Sequence, residues 1–142
     1  MADQINVFVE NKKGRLGALA QILADHHINI RALVIQDRGE YGMIKLLVDD
    51  PPRARAALTA AGLTNAVKHV LAVVISDAPG GLCALTQHMA AKGINLLDAY
   101  GFVLESKKTS VICTEVVDLE PARAAIEEGG FRVLSDRELY EL

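Results

Sequence analysis

Only four prolines and two cysteines occur among the 142 residues, no basic excess is present, and no apolar run reaches the length of a membrane helix. Each shortage excludes a class of protein. Scarce proline with 51% hydrophobic composition excludes a disordered or collagen-like chain. Cys83 and Cys113 make neither a disulfide framework nor a CxxC redox or zinc pair, which fits a reducing compartment. A net charge of −3 supplies no field for phosphate backbones, so nucleic acid is not an expected partner. Lacking any stretch near the roughly 18 apolar residues of a membrane span, and with no basic-then-apolar leader after Met1-Ala2-Asp3-Gln4, the chain is expected to be cytoplasmic, with no membrane partner. A chain of this length buries about two-thirds of its unfolded surface and needs no staple.

What is present is an internal repeat. At an offset of 66, Gly14, Leu16, Ala18, Leu19, Gln21, Ala24, Ile28 and Asn29 meet Gly80, Leu82, Ala84, Leu85, Gln87, Ala90, Ile94 and Asn95. At an offset of 68, Asp50, Ala54 to Ala57 and Gly62 meet Asp118, Ala122 to Ala125 and Gly130. The added two residues belong in a hairpin, near Asp37-Arg38-Gly39-Glu40 in one copy and Glu105-Ser106-Lys107-Lys108 in the other, because turns absorb insertions that paired strands do not. The expected units are residues 1–68 and 69–142.

Each copy reads as βαββαβ. Ile5, Val7 and Val9 alternate with polar residues as in a half-buried strand, and Leu16, Leu19, Ala20 and Leu23 then form one stripe of a helix, repeated by Leu82, Leu85, Thr86 and Met89. Strands follow over 28–36 and 41–49, then an alanine-rich helix opened by Pro51-Pro52, then a last strand after Gly62 or Gly130. The fold class is α+β: two ferredoxin-like units, each an antiparallel sheet with helices on one face, joined side by side. Residues 67–76 form a nearly unbroken apolar stretch that can hold the last strand of one copy and the first of the next. Because Leu71 to Ile75 is apolar on both faces, either a buried sheet face or a homodimer is expected.

The segment Asp77-Ala78-Pro79-Gly80-Gly81-Leu82, a helix, and then Gly93-Ile94-Asn95-Leu96 resembles an ACT domain, and Glu10-Asn11-Lys12-Lys13-Gly14-Arg15-Leu16 with Ile28-Asn29-Ile30 repeats the pattern. The resemblance covers nearly the whole chain and implies a tandem ACT-domain protein: a non-catalytic regulatory module that binds a small molecule, most often an amino acid, between two units. It implies polar loop residues at Asn11 and Asp77, with Asn29 and Asn95 reaching from the neighbouring unit, so that Asp77 pairs with Asn29 and Asn11 with Asn95. The residues themselves fit that chemistry. A glycine before a helix lets backbone approach a ligand, and the free N–H groups at Gly14, Arg15 and Leu16, or at Gly80, Gly81 and Leu82, can hold a carboxylate. The ammonium group then needs acceptors, which Asp77 supplies with charge and the asparagines without it. Leu33, Leu97 and Tyr100 are the expected selectivity residues. Copy one has Lys12-Lys13 where copy two has Ala78-Pro79, so its site is either empty or suited to an additional acidic group.

Blander readings compete. Singly, Gly14 and Gly80 fit a tight turn, Asn11 and Asp77 fit helix caps, and Asn29 and Asn95 fit local turns. His26 and His27 are adjacent, and His69 and His88 stand apart, so neither metal nor cofactor is expected. Cys83 is expected to be a small packing residue. A small enzyme, acylphosphatase-like and gripping phosphate with Lys12-Lys13-Gly14-Arg15, is the alternative, but no nucleophile with a partnered base accompanies that loop. A purely structural dimerisation module is a third reading. The sensor reading expects a homodimer or a regulated partner to read the signal, in part through the acidic tail Glu138 to Leu142.

Overall fold

The computed structural model describes residues 1–10, 12–37 and 39–142. Its element order is β1 (Ala2–Val9), α1 (Arg15–Asp25), β2 (Ile30–Asp37), β3 (Gly42–Val48), α2 (Pro51–Ala60), β4 (Asn65–Ser76), α3 (Gly81–Ala91), β5 (Leu96–Glu105), β6 (Thr109–Val116), α4 (Leu119–Glu128), β7 (Arg132–Leu134) and α5 (Asp136–Tyr140). Two compact units result: an N-terminal unit of Asp3–Lys68 with Tyr140–Leu142, and a C-terminal unit of His69–Leu139 with Met1–Ala2. The apolar stretch over 67–76 does lie within one strand, β4, whose first residues belong to the N-terminal unit and the rest to the C-terminal unit.

Both units are βαββαβ with antiparallel neighbours. In the N-terminal unit the strand order is β2-β3-β1-β4, with the Phe8 N–H donating to the Thr64 carbonyl (2.9 Å) where β4 begins. In the C-terminal unit it is β5-β6-β4-β7. Period-2 alternation sends Ile5, Val7, Ile44 and Leu46 to the face that α1 and α2 cover, where Leu19, Leu23, Ala54 and Leu58 meet them. The repeat equivalents Leu71, Val73, Leu85, Met89, Ala122 and Ile126 build the second core.

The copies differ where one substitution compensates another. Ile22, Ala61 and Leu63 correspond to His88, Gly129 and Phe131. His88 Nε2 lies 2.7 Å from the Ala125 carbonyl, so that nitrogen carries a hydrogen, and the ring packs at 5.7 Å from Phe131. A Cβ on Gly129 would fall 2.4 Å from His88 Nε2. The larger histidine therefore requires the smaller residue opposite.

The helix-free face of the C-terminal sheet is buried at its centre. Ala72 of β4 and Val111 and Cys113 of β6 are each at most 1% exposed, while Val74 beside them is half-buried. The tail is also not a free acidic segment. Ser135 and Glu138 form a reciprocal capping box at the start of α5: the Glu138 N–H donates to Ser135 Oγ (3.2 Å), and Glu138 Oε2 accepts from the Ser135 N–H (2.8 Å). Chiefly through the Ser135 backbone bond, and also through Arg132, the Glu138 carboxyl is pulled down to about 2. Leu139 is fully buried, and the Tyr140 hydroxyl accepts from the Asp3 N–H at 2.9 Å.

Each of α1 to α4 ends in the same six-residue closure, for example Ile94 N–H to Met89 O and Gly93 N–H to Ala90 O. The left-handed residue is Gly62, Gly93 or Gly130 in three of them and His27, at φ 54°, in α1. A side chain there is strained, and His27 is exposed. His27→Gly is therefore expected to stabilise the protein by about 1 kcal/mol, read as a higher urea midpoint with an unchanged slope.

Candidate functional site

Glycine opens both first-turn loops. Gly80 caps α3 at φ 92° and Gly14 caps α1 at φ 84°, a region that disfavours other residues, and among the described residues no side-chain cap bond is made at either helix start. The Gly81 N–H donates to Ala78 O (3.0 Å) and the Ala84 N–H to Gly80 O (2.9 Å). The N–H groups of Leu82 and Cys83, between them, point out of the first turn of α3.

Asp77 does not cap that helix. Its Oδ2 accepts from the Lys107 N–H (2.7 Å), its Oδ1 accepts from Ser110 Oγ (3.1 Å), and its own N–H donates to Lys108 O (3.0 Å). The carboxylate thus secures the β5–β6 turn, where Lys107 sits at φ 63°. Two of its roughly four acceptor positions are used, and the others remain for a donor.

Above this turn, on the helix-covered face of the sheet, is a cavity of about 450 Å³. Asp77 and Leu82 line it, Gly80 and Gly81 make the turn between them, and its floor comes from Gly101, Val103, Ser110 and Ile112. The remaining walls come from Ile75, Ser76, Ala78 and Pro79, with Phe102 between the two floor residues of β5. The N-terminal unit has a cavity at the matching place, of about 80 Å³. There Val9 stands for Ile75, Lys12 for Ala78, Leu16 for Leu82, Ile35 for Gly101 and Ile44 for Ile112, and the register agrees: Ile35 faces Ile44 as Gly101 faces Ile112.

The basic loop of the smaller cavity is engaged by its own chain. Glu10 holds Lys12 at 2.6 Å and Arg15 at 3.3 Å. Lys12 first and Arg15 second keep the Glu10 carboxyl below its usual range. One carboxylate thereby engages two of the three cations of the expected phosphate grip, and no nucleophile with a partnered base accompanies them.

Other expected residues fall elsewhere. Asn11 lies outside the described residues, as does Arg38. Asn95 lines a separate cavity of about 300 Å³ with Lys92, Asp118 and Pro121, and the eleven-residue α3, about 16 Å long, separates it from Asp77. Asn29 is exposed, and its backbone N–H donates to Asp49 Oδ1 (2.9 Å). Within each unit, then, loop and asparagine are not brought together. Leu33, Leu97 and Tyr100 do not line the Asp77 cavity; Gly101, Phe102 and Val103 take that place, and Tyr100 faces Cys113 on the other side of the sheet. Cys83 is exposed rather than packed. Ser110 and Gly101 carry signals that were available: a lone glycine inside a strand marks a close approach, and here its repeat partner is isoleucine. No helix among the described residues is long and apolar enough to cross a membrane.

Compared with known proteins, no curated protein matches the chain. A protein from Bacteroides thetaiotaomicron of known crystal structure is similar at 26% identity and TM-score 0.93, over 99% of this chain and 96% of that one. The regulatory subunits of aspartate kinase from Thermus thermophilus and Thermus flavus share the fold, with identities of 17% and 18% and TM-scores of 0.65 and 0.64. These alignments cover 89% of this chain and 91% of the first, and 90% of both chains for the second. The family model for the ACT domain pair matches residues 1–142. With two βαββαβ units, each opening its first helix on a left-handed glycine, the chain belongs to the ACT domain pair family.

Proposed function

We propose that the protein is a non-catalytic sensor that binds a free amino acid and passes its occupancy to a partner, either a second copy or a regulated enzyme. The observation that carries this reading is the cavity at the start of α3, which Leu82 of the first helical turn and the half-satisfied Asp77 carboxylate both line. The first-turn N–H of Leu82 suits the ligand carboxylate, and Asp77 suits its ammonium with charge assistance. Signalling follows if the ligand binds one state of the protein more tightly than another, and the shift is bounded by that difference. Asn29 and Asn95 are part of the proposed set through family resemblance. The clasped basic loop gives the phosphate-binding reading no comparable support.

The test is a thermal-shift panel of the twenty amino acids and inorganic phosphate against the wild type, with Asp77→Ala, Asn29→Ala and Asn95→Ala beside it. An amino acid at a hundred times its Kd should add about 2.7 kcal/mol, and Asp77→Ala should remove most of it. A response to phosphate alone, or none at all, would count against the sensor reading.

A further inference from the structure

The two matching cavities differ more than fivefold in volume, about 450 Å³ against about 80 Å³, although the strands that floor them pair in the same register. Two differences among the described residues bear on it. Ile35 projects a four-carbon side chain from the β2 position where Gly101 of β5 projects none. Across the mouth, Glu10 draws Lys12 and Arg15 together, where the C-terminal unit has Ser76, Ala78 and Gly81 with no charge to gather.

We infer that the chain binds one amino acid, not two: the C-terminal cavity takes a ligand with an aliphatic side chain lying over Gly101, and the N-terminal cavity is closed by Ile35 and the Glu10 clasp. The inference rests on the sensor reading above and adds to it a stoichiometry, a ligand class and the residue that sets both. The class follows from the walls. Past Asp77 and the hydroxyls of Ser76 and Ser110 the space is bounded by Ile75, Pro79, Leu82, Val103 and Ile112, so a charged side chain entering it would lose water without gaining a charged partner once the ammonium occupies Asp77. The missing side chain of Gly101 is what leaves room over Ile112: a Cβ there would already sit 2.7 Å from Ile112 Cδ1 and 3.1 Å from the Val111 carbonyl oxygen.

Equilibrium dialysis with labelled glycine, valine, leucine, phenylalanine, aspartate and lysine reads out affinity and stoichiometry together. Expected are valine or leucine at one per chain, a loss of about tenfold for Gly101→Ala, and a loss of more than about a hundredfold for Gly101→Ile, which copies the N-terminal unit. Leu82→Glu guards against misfolding, because Leu82 is 50% exposed at the mouth and a carboxylate there repels the ligand's own without entering a core. It should abolish binding while the urea midpoint without ligand stays near that of the wild type. Two ligands per chain, with one kept in Gly101→Ile, would overturn the one-site inference and leave the sensor reading intact. Binding of aspartate or lysine alone would overturn the aliphatic class. No binding by any of the six would overturn the inference, and the absence of a response across all twenty in the thermal panel would overturn the sensor reading with it.

Discussion

Gly81→Ala is expected to lower stability by about 3 kcal/mol, while Arg15→Ala, at the matching place in the other repeat, changes it by less than about 1 kcal/mol. The contrast is one of space rather than backbone conformation. A Cβ on Gly81 would stand 2.1 Å from the Ser76 carbonyl oxygen, an atom fixed by the end of β4 and unable to rotate away. Arg15 already carries a Cβ in its helix, and its exposed pairing with Glu10 contributes little. The physical consequence is that the loop from Ser76 to Gly80 lies closer to its helix in the C-terminal unit, and Asp77 follows directly after Ser76. Moving the loop moves the carboxylate that holds Lys107 and Ser110, so Gly81→Ala should also remove any amino-acid response. Urea unfolding of the two variants with and without ligand checks both parts; equal midpoints would show that the loop yields freely and that the tight approach has no role.

The fold was legible in the sequence because a duplicated pattern tests itself. Eight identities at one offset place the same helix twice, and Gly62 and Gly130 mark the same helix ends that the closures then use. The chain's long apolar stretch was also readable as one strand, because nothing in residues 67–76 breaks it. The site was less legible, for a reason that is also physical. Asp77 belongs to a residue type that caps helices, so its position before α3 points to a cap, yet its partners are Lys107 and Ser110, some thirty residues away on the β5–β6 turn. Only tertiary structure brings that turn to it. Cys83 looks like a packing residue among alanines until the helix is rotated onto its sheet, when Leu85 and Met89 face inward and Cys83 outward. The tail from Glu138, read as acidic, begins at the glutamate of a Ser-x-x-Glu cap and continues with a buried leucine, a signature that the run of charges conceals.

Raising the pH from 7 to 11 is expected to weaken the fold through buried Cys113 and half-buried Tyr100, and the effect should be traceable to two atoms. Tyr100 and Cys113 face each other across β5 and β6 on the helix-free side of the C-terminal sheet. Cys113 is fully buried, and burial pushes its thiol up to about 12 from an ordinary 9.0, even though a hydrogen bond with Tyr100 pulls the other way. Burial likewise raises the Tyr100 hydroxyl, with Cys113 and Asp98 adding to it. The folded state therefore keeps protons that the unfolded chain releases. Nothing is lost at neutral pH, where both states are protonated; stability falls once the pH passes the unfolded thiol value and continues to fall until the folded value is reached. At about 1.4 kcal/mol per pH unit, the Cys113 contribution alone amounts to roughly 2–3 kcal/mol by pH 11, and Tyr100 adds to it above pH 10. Urea midpoints at pH 7, 9 and 11 should show the decline in the wild type, a shallower one in Cys113→Ala, and the shallowest in Cys113→Ala with Tyr100→Phe, whatever each substitution costs in packing at pH 7. The same burial predicts that iodoacetamide labels Cys83 in the native protein while Cys113 waits for unfolding. Equal labelling of the two, together with a slope that Cys113→Ala leaves unchanged, would mean that this face of the sheet is open to water and that the alkaline loss arises elsewhere.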